Sequence, residues 1–487
     1  MKILNRNNTI SRSAPLSLGE GLWVRLLLTA CCLLFTAYFS QAGPSLIQGT
    51  APDYKGKFAR LYIYDDYLTY TEKELSETRV GLDGKFELWF TVTETQYAFI
   101  RIDNEIMDIY VEKDKKYKLD FPPPTKNTGA TNPLSERNYR KLRMLEKDST
   151  SLNLAILKFN KLYDDFLVDN KELLVRRGIN DKKMLHDRLA TFRDNVGEEF
   201  SFSQSDYLRA HILYSIAQLE QTTMTSDEKL FADYLEKPFL EKNYEYMRFF
   251  HQYFERHLEM FRLSEKGRGF SDAVNKFSGL EKINDVLNSD EKLRNKILRE
   301  AVLIDGIIQL YNNPDFKKDK MVKVLEALSA EASTPYLKTA AANAAAMLTR
   351  NQPGTMAPEF DIRSHNNQLT RLKDFEDKYV YLQFTDVSCL QCNSETKTVA
   401  DLYAKYGSKV QFVTITINND FEETRDFVKR YGYNWTFLIA GDNHKVLEDY
   451  NVKSVPEYFF IGPTGKFVQS PATRPDRGID RTFFDLK

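Results

Sequence analysis

Cysteine is scarce in this chain: four in 487 residues, at Cys31, Cys32, Cys389 and Cys392. So few thiols exclude a framework of structural disulfides. Charge of either sign is not in excess, with 68 Lys plus Arg against 69 Asp plus Glu. Without a net basic field to hold a polyanion, nucleic acid is not an expected partner. Glycine numbers only 21 and low-complexity sequence is slight, which confines disorder to linkers. Of the six histidines, His251 and His257 lie closest together, six apart, which is not a one-face ligand spacing, and no third ligand accompanies them. No metal site is expected.

Long apolar runs are also missing, apart from Leu26 to about Phe39, which is short against the roughly 20 residues that span a bilayer. With a basic stretch ending at Arg25 before it and Ser40-Gln41-Ala42 after it, residues 1–42 read as an export signal cleaved after Ala42. An uncleaved membrane anchor is the alternative. A second one is lipidation, because Leu28-Thr29-Ala30-Cys31 resembles a lipobox, although Arg25 leaves just five residues ahead of Cys31. Cleavage discards Cys31 and Cys32. The mature chain then carries a single thiol pair in an oxidising compartment, the periplasm or cell envelope, where two thiols do not stay reduced without an electron supply.

At roughly 150 residues per domain the length implies about three units, and three patterns follow one another. Residues 43–121 read as an antiparallel β domain, sandwich-like, with runs at Phe58–Tyr64, Phe86–Phe90, Ala98–Ile102 and Ile109–Leu119. Asp83-Gly84 predicts a type I′ hairpin turn. Pro122, Pro123 and Pro124 open a linker over 122–134. Residues 135–350 turn to helical period, an all-α domain of some eight to ten helices. Met247, Phe250, Phe254, Leu258 and Phe261 form one apolar stripe there and read as core. Thr334-Pro335 is a cap followed by a first-turn proline.

From 355 to 487 the pattern is α/β. A hairpin at Phe360–Arg363 and Gln368–Leu372 precedes a strand at Tyr379–Phe384, a helix beginning near Cys389, and a strand at Val410–Ile417. Helix at Phe421–Tyr431, strand at Trp435–Ile439, a short helix at Asn443–Tyr450 and a terminal hairpin at Glu457–Ile461 and Lys466–Gln469 complete it. This is the thioredoxin order.

Three landmarks make the resemblance specific: Met356-Ala357-Pro358-Glu359-Phe360, Cys389-Leu390-Gln391-Cys392 and Val455-Pro456. Residues 355–487 resemble the extracytoplasmic thioredoxin-like reductases of the redoxin superfamily related to those that service cytochrome c maturation. The three-part order resembles the long multidomain members from Bacteroidota-type bacteria. The resemblance implies a cis bond at Val455-Pro456 opposite the cysteines, with the Val455 backbone pairing with substrate.

The chemistry needs this arrangement. A thiolate attacks a disulfide, and a helix N-terminus supplies partial positive charge that lowers a thiol pKa. Cys389 takes that position as nucleophile, and Cys392, one turn on, resolves the mixed disulfide. No cofactor is called for. The expected partners are a disulfide-bearing protein substrate and an upstream electron donor. Two positions depart from the family: Ser388 stands where Trp usually precedes the first cysteine, and Gln383 where a buried acid usually shuttles protons. Asp386 is the candidate replacement for that acid, and its charge would raise the Cys389 pKa. Two alternatives to a disulfide reductase stay open. One is a thiol peroxidase, against which Asp386 and Leu382 occupy the positions of its usual Thr or Ser and Pro. The other is a binding scaffold with a redox-sensing domain.

Overall fold

A computed structural model describes residues 43–124, 138–145, 150–176, 178–203, 205–418, 421–441 and 444–486. The export signal or anchor, Cys31 in the lipobox and most of the proline linker lie outside these residues.

The first unit has eight strands: β1 (Ser45–Thr50), β2 (Phe58–Asp66), β3 (Thr71–Arg79), β4 (Lys85–Phe90), β5 (Gln96–Ile102), β6 (Glu105–Val111), β7 (Lys116–Asp120) and β8 (Asn138–Arg140). They form two sheets, ordered β4-β1-β7 and β3-β2-β5-β6-β8. Alternation in β4 sends Phe86, Leu88 and Phe90 inward, where they join Ile47, Leu61, Ile100 and Leu119 in a shared core. All of β5 is buried, because Ala98 and Ile100 face that core while Tyr97 and Phe99 pack on Leu152, Ile156 and Leu208 of the helical unit.

Four expectations need correction. The sheets are not wholly antiparallel, since β1 pairs with β7, and β6 with β8, in parallel. An apolar alternation looks the same in either strand direction, so only long-range placement decides it. At Asp83-Gly84, Gly84 alone of the two takes positive φ, +77°. The turn carries the chain from one sheet to the other, and a Cβ on Gly84 would sit 2.8 Å from the Pro52 backbone. The run Ile109–Leu119 is two strands broken around Asp114, whose φ is +59°. Finally, β8 lies in the stretch read as helical, and the charged strand β3 escaped the reading because it is a polar edge.

Helices then run from Leu152–Asp169 to Pro335–Thr349, twelve α-helices among the described residues. The expected stripe is buried but divided between Tyr244–Tyr253 and His257–Leu263, because Arg256 adopts φ +57° and ends the first turn of continuity. Thr334 Oγ1 accepts from the Leu337 amide at 3.2 Å, with Pro335 in the first turn.

The turn between β2 and β3 plugs into the helical core, where Tyr67 and Leu68 are buried. The Tyr67 amide donates to Tyr336 Oη at 2.9 Å, and Asn343 Nδ2 donates to Asp66 at 2.8 Å. His251 closes the plug: Nε2 lies 2.6 Å from the Tyr67 carbonyl and Nδ1 3.0 Å from Asp305. Both nitrogens face acceptors, an arrangement that favours the doubly protonated ring. Burial opposes that charge, but the Asp305 hydrogen bond and charge and the Tyr67 carbonyl outweigh it, raising the imidazole above its ordinary value.

The C-terminal unit holds β9 (Asp361–Arg363), β10 (Leu369–Arg371), β11 (Tyr379–Thr385), β12 (Val410–Thr416), β13 (Thr436–Ile439), β14 (Glu457–Ile461) and β15 (Phe467–Gln469). The main sheet runs β13-β12-β11-β14-β15, with β13, β12 and β11 parallel and β14 and β15 each antiparallel to its neighbour. Helices Leu390–Tyr406 and Phe421–Tyr431 supply the crossovers. That is the thioredoxin-like fold expected of this segment. The segment around Met356 earns its place as a landmark by running along the terminal hairpin, with the Ala357 amide on the Gly465 carbonyl at 2.8 Å. A short final helix, Ile479–Phe484, was not foreseen; its Phe483 packs on Tyr381, Phe412 and Phe460. Arg101 of β5 ties this unit to the first, reaching Glu448 at 3.1 Å and Glu72 at 2.6 Å over the Tyr62 ring.

A histidine with a raised folded pKa stabilises fully below its unfolded value, about 6.5, and loses that contribution as pH rises through the folded pKa. His251→Gln is therefore expected to cost about 1–2 kcal/mol at acidic pH, with the gap to wild type narrowing at higher pH. Urea unfolding at a series of pH values checks this; a gap independent of pH removes the charged latch.

Candidate redox site

The strand β11 ends at Thr385, and four residues later Cys389 caps the helix Leu390–Tyr406. Asp386 shapes the loop between them. Its Oδ1 accepts from the Ser388 amide at 2.8 Å, from Ser388 Oγ at 2.7 Å and from Asn418 Nδ2 at 3.0 Å. Asn418 Oδ1 in turn accepts from the Val387 amide at 2.9 Å, so the end of β12 holds the loop from the other side. Cys389 is thereby placed at the first turn, its Sγ accepting from the Cys392 amide at 3.2 Å. The two cysteines are joined as a disulfide with their Cα atoms 5.2 Å apart. Cys389 is half-buried and Cys392 fully buried, while Ser388, Leu390 and Gln391 are exposed. Val455 is partly buried and the Val455-Pro456 bond is cis.

Beneath Cys392 lies a polar network in an otherwise apolar core. Gln383, 1% exposed, donates through Nε2 to Thr396 Oγ1 at 3.0 Å and to Tyr458 Oη at 3.2 Å, and its Oε1 accepts from Thr414 Oγ1 at 3.0 Å. Thr396 Oγ1 donates to the Cys392 carbonyl at 2.8 Å, and Trp435 Nε1 to Thr414 at 2.9 Å. Gln383 is thus a neutral hub in place of the expected acid, with both ends of its amide satisfied.

A buried acid also stands on the helix. Glu395, one turn beyond Cys392 and 8% exposed, accepts from Tyr458 Oη at 3.0 Å through Oε2 and from Gln391 Nε2 at 3.2 Å through Oε1. Burial first, then the Glu395 charge, pushes the Tyr458 hydroxyl far above the phenol range, so it remains a donor. Glu395 was overlooked in the sequence, yet a signal existed: with Val399, Leu402 and Tyr406 it falls at i, i+4, i+7 and i+11, a carboxylate on the buried face of the helix. Arg474 also reaches this site and carried no such signal, coming from the segment beyond β15.

With this geometry in hand, known proteins bear on the site. The AhpC/TSA family model matches residues 353–470. The thiol-disulfide oxidoreductase ResA of Bacillus subtilis (strain 168) is 31% identical over 117 residues, 24% of this chain and 65% of that protein. ResA of Bacillus thuringiensis (strain Al Hakam) is 31% identical over 120 residues, covering 24% of this chain and 68% of its own length. The chain belongs to the thioredoxin-like thiol-disulfide oxidoreductases. The matched part amounts to about a quarter of this oxidoreductase and spans about two thirds of those relatives. A thioredoxin domain of a thiol-disulfide oxidoreductase from Bacteroides vulgatus is 21% identical, covering 28% of this chain and 98% of that one, with a TM-score of 0.26. The fold of the oxidoreductase unit rests on its strand order.

Asp386→Asn keeps the accepting oxygen and removes the charge, so the Cys389 thiol of the reduced protein is expected to titrate at lower pH with the fold intact. Asp386→Ala, which loses all three hydrogen bonds, is expected to cost about 1–2 kcal/mol of stability. Thiol alkylation against pH checks the first; an unchanged profile leaves Asp386 a loop cap alone.

Proposed function

We propose that the protein is an extracytoplasmic disulfide reductase in which Cys389 attacks and Cys392 resolves. The asymmetry of burial carries the reading: Cys389 is reachable at the helix N-terminus, whereas Cys392 is 0% exposed and can meet only a sulfur already bonded to Cys389. The Cys389 thiolate attacks one sulfur of the substrate disulfide. That S–S bond breaks, and the departing sulfur takes the electron pair and a proton. Cys392 then gives up its proton, bonds to Cys389 Sγ and displaces the second substrate sulfur. Two electrons and two protons pass to the substrate, and the protein is left as the disulfide. An upstream dithiol donor restores it.

Exposed Ser388, Leu390 and Gln391 around the pair, with the Val455 backbone beside Pro456, suit a protein substrate that lies across the site. Glu395, the buried carboxylate one turn from Cys392, is the group to receive the Cys392 proton. The export-signal pattern of residues 1–42 supports an extracytoplasmic location. A peroxidase reading draws on the same family model, but Leu382, where such an enzyme needs proline, is a buried residue inside β11.

Cys392→Ser is expected to accumulate mixed disulfides through Cys389, while Cys389→Ser abolishes exchange and traps nothing; nonreducing gels of the exported protein read both. A reduction potential near −270 mV supports the reductase, and one near −120 mV overturns it in favour of an oxidant. Sustained turnover of hydrogen peroxide would return the protein to the peroxidases.

A further inference from the structure

The segment after β15 is clamped onto the sheet. The Ala472 amide donates to the Tyr458 carbonyl at 2.7 Å, Tyr381 Oη donates to the Thr473 carbonyl at 2.9 Å, and Gln469 Oε1 accepts from the Thr473 amide at 3.0 Å. These contacts deliver Arg474 to the redox site with little freedom. Its Nη2 donates to the Pro456 carbonyl at 3.2 Å, and its Nη1 lies 3.6 Å from Glu395 Oε1. The Glu395 side chain is 10% exposed and that of Arg474 41%, so the cation stands between solvent and the buried acid.

We propose that Arg474 is a positioning residue for the exchange reaction, joining the loop of Pro456 to the carboxylate that takes the Cys392 proton and setting a positive charge beside it. The inference rests on the reductase reading. Its physical basis is that Glu395 is a buried acid one turn from Cys392, and the negative charge it carries as a proton acceptor is met at 3.6 Å by the guanidinium. The planar guanidinium suits the task, since one nitrogen can serve the loop carbonyl while another faces the acid. The other titratable groups around this point are Tyr458 on β14, Tyr381 on β11, Glu457 beside Pro456, and Asp476 on the same terminal segment. The two tyrosines are held protonated by burial, and Arg474 opposes the rise in both. Burial likewise raises Glu457, against the pull of Arg474.

The step in question is resolution. Cys392 Sγ bonds to Cys389 Sγ, the bond from Cys389 to the substrate breaks, the electron pair leaves on the substrate sulfur, and the Cys392 proton passes to Glu395. A chromogenic aromatic disulfide separates this step from the first attack, because the two thiols leave in turn. The reduced, full-length protein is mixed with it across a pH series. For Arg474→Gln, which keeps a donor for the Pro456 carbonyl but no charge, release of the second thiol is expected to shift its apparent pKa upward by about half to one unit. That is about three- to tenfold slower below the pKa, after allowing for the partial exposure of the cation. Arg474→Lys is expected to stay near the wild-type profile. An unshifted profile in Arg474→Gln, or a shift as large in Arg474→Lys, overturns the proposal. Should Arg474→Gln not fold, Arg474→Met, which keeps the stem and removes the charge, is held to the same expected upward shift, and its absence overturns the proposal. Failure of the wild-type protein to release even the first thiol strikes the reductase reading itself.

Discussion

The redox unit depends on one constraint: the helix Leu390–Tyr406 must begin at Cys389, at the end of a buried parallel strand. A helix leaves its first amides without partners inside the helix and gathers partial positive charge at that end. Here the Cys389 sulfur takes the Cys392 amide, so the cysteine is also the cap. The same start places Cys392 one turn on, where it is fully buried, and Glu395 one turn beyond that. Two thiols and a carboxylate thereby follow one another along the first turns of the helix. The loop that fixes this start is anchored by Asp386 and Asn418 from two different strand ends, so the cap depends on the sheet.

Below the pair, the core departs from apolar packing in a hydrogen-bonded patch. Gln383, Thr396, Thr414, Tyr458 and Trp435 bond among themselves and to the Cys392 carbonyl, which removes the penalty each would carry alone. Gln383 cannot accept a proton in the way a carboxylate does. The network instead orients Tyr458 toward Glu395, at the margin of the core where a partly exposed cation reaches that carboxylate. Charge has moved from the centre of the strand to the helix.

The upstream units are joined to each other by burial and to the redox unit by charge. The β2–β3 turn places Tyr67 and Leu68 inside the helical core, and the Tyr97–Phe99 face of β5 packs on helices, so the first two units share apolar surface. The redox unit meets them through Arg101 and Glu448 and through Arg350 and Asn351 on Asp449, contacts at the helix His444–Asp449. Two neighbours that share a core fold as one body, while polar contacts of this kind allow separate adjustment.

Much of the redox unit was legible in the sequence because its signals are local. Cys-x-x-Cys between a β-rich run and a helical pattern, with Val455-Pro456 downstream, identified the fold and the pair, and the strands and helices of residues 360–469 appeared near their predicted places. The β unit was harder to read: strand direction, the crossing at Gly84, the polar edge β3 and the late strand β8 all depend on partners far away in the chain. The same distinction runs through the site. Periodicity and spacing determined by themselves where the two cysteines of the pair stand, because one helical turn is set by backbone geometry. Only the tertiary structure decided what surrounds them: that Gln383 is a hub, that Asp386 ties the loop ahead of Cys389, and that Glu395 and Arg474 meet from segments 79 residues apart by their numbers. Such meetings are set by how the sheet folds the chain back on itself, which no local pattern encodes.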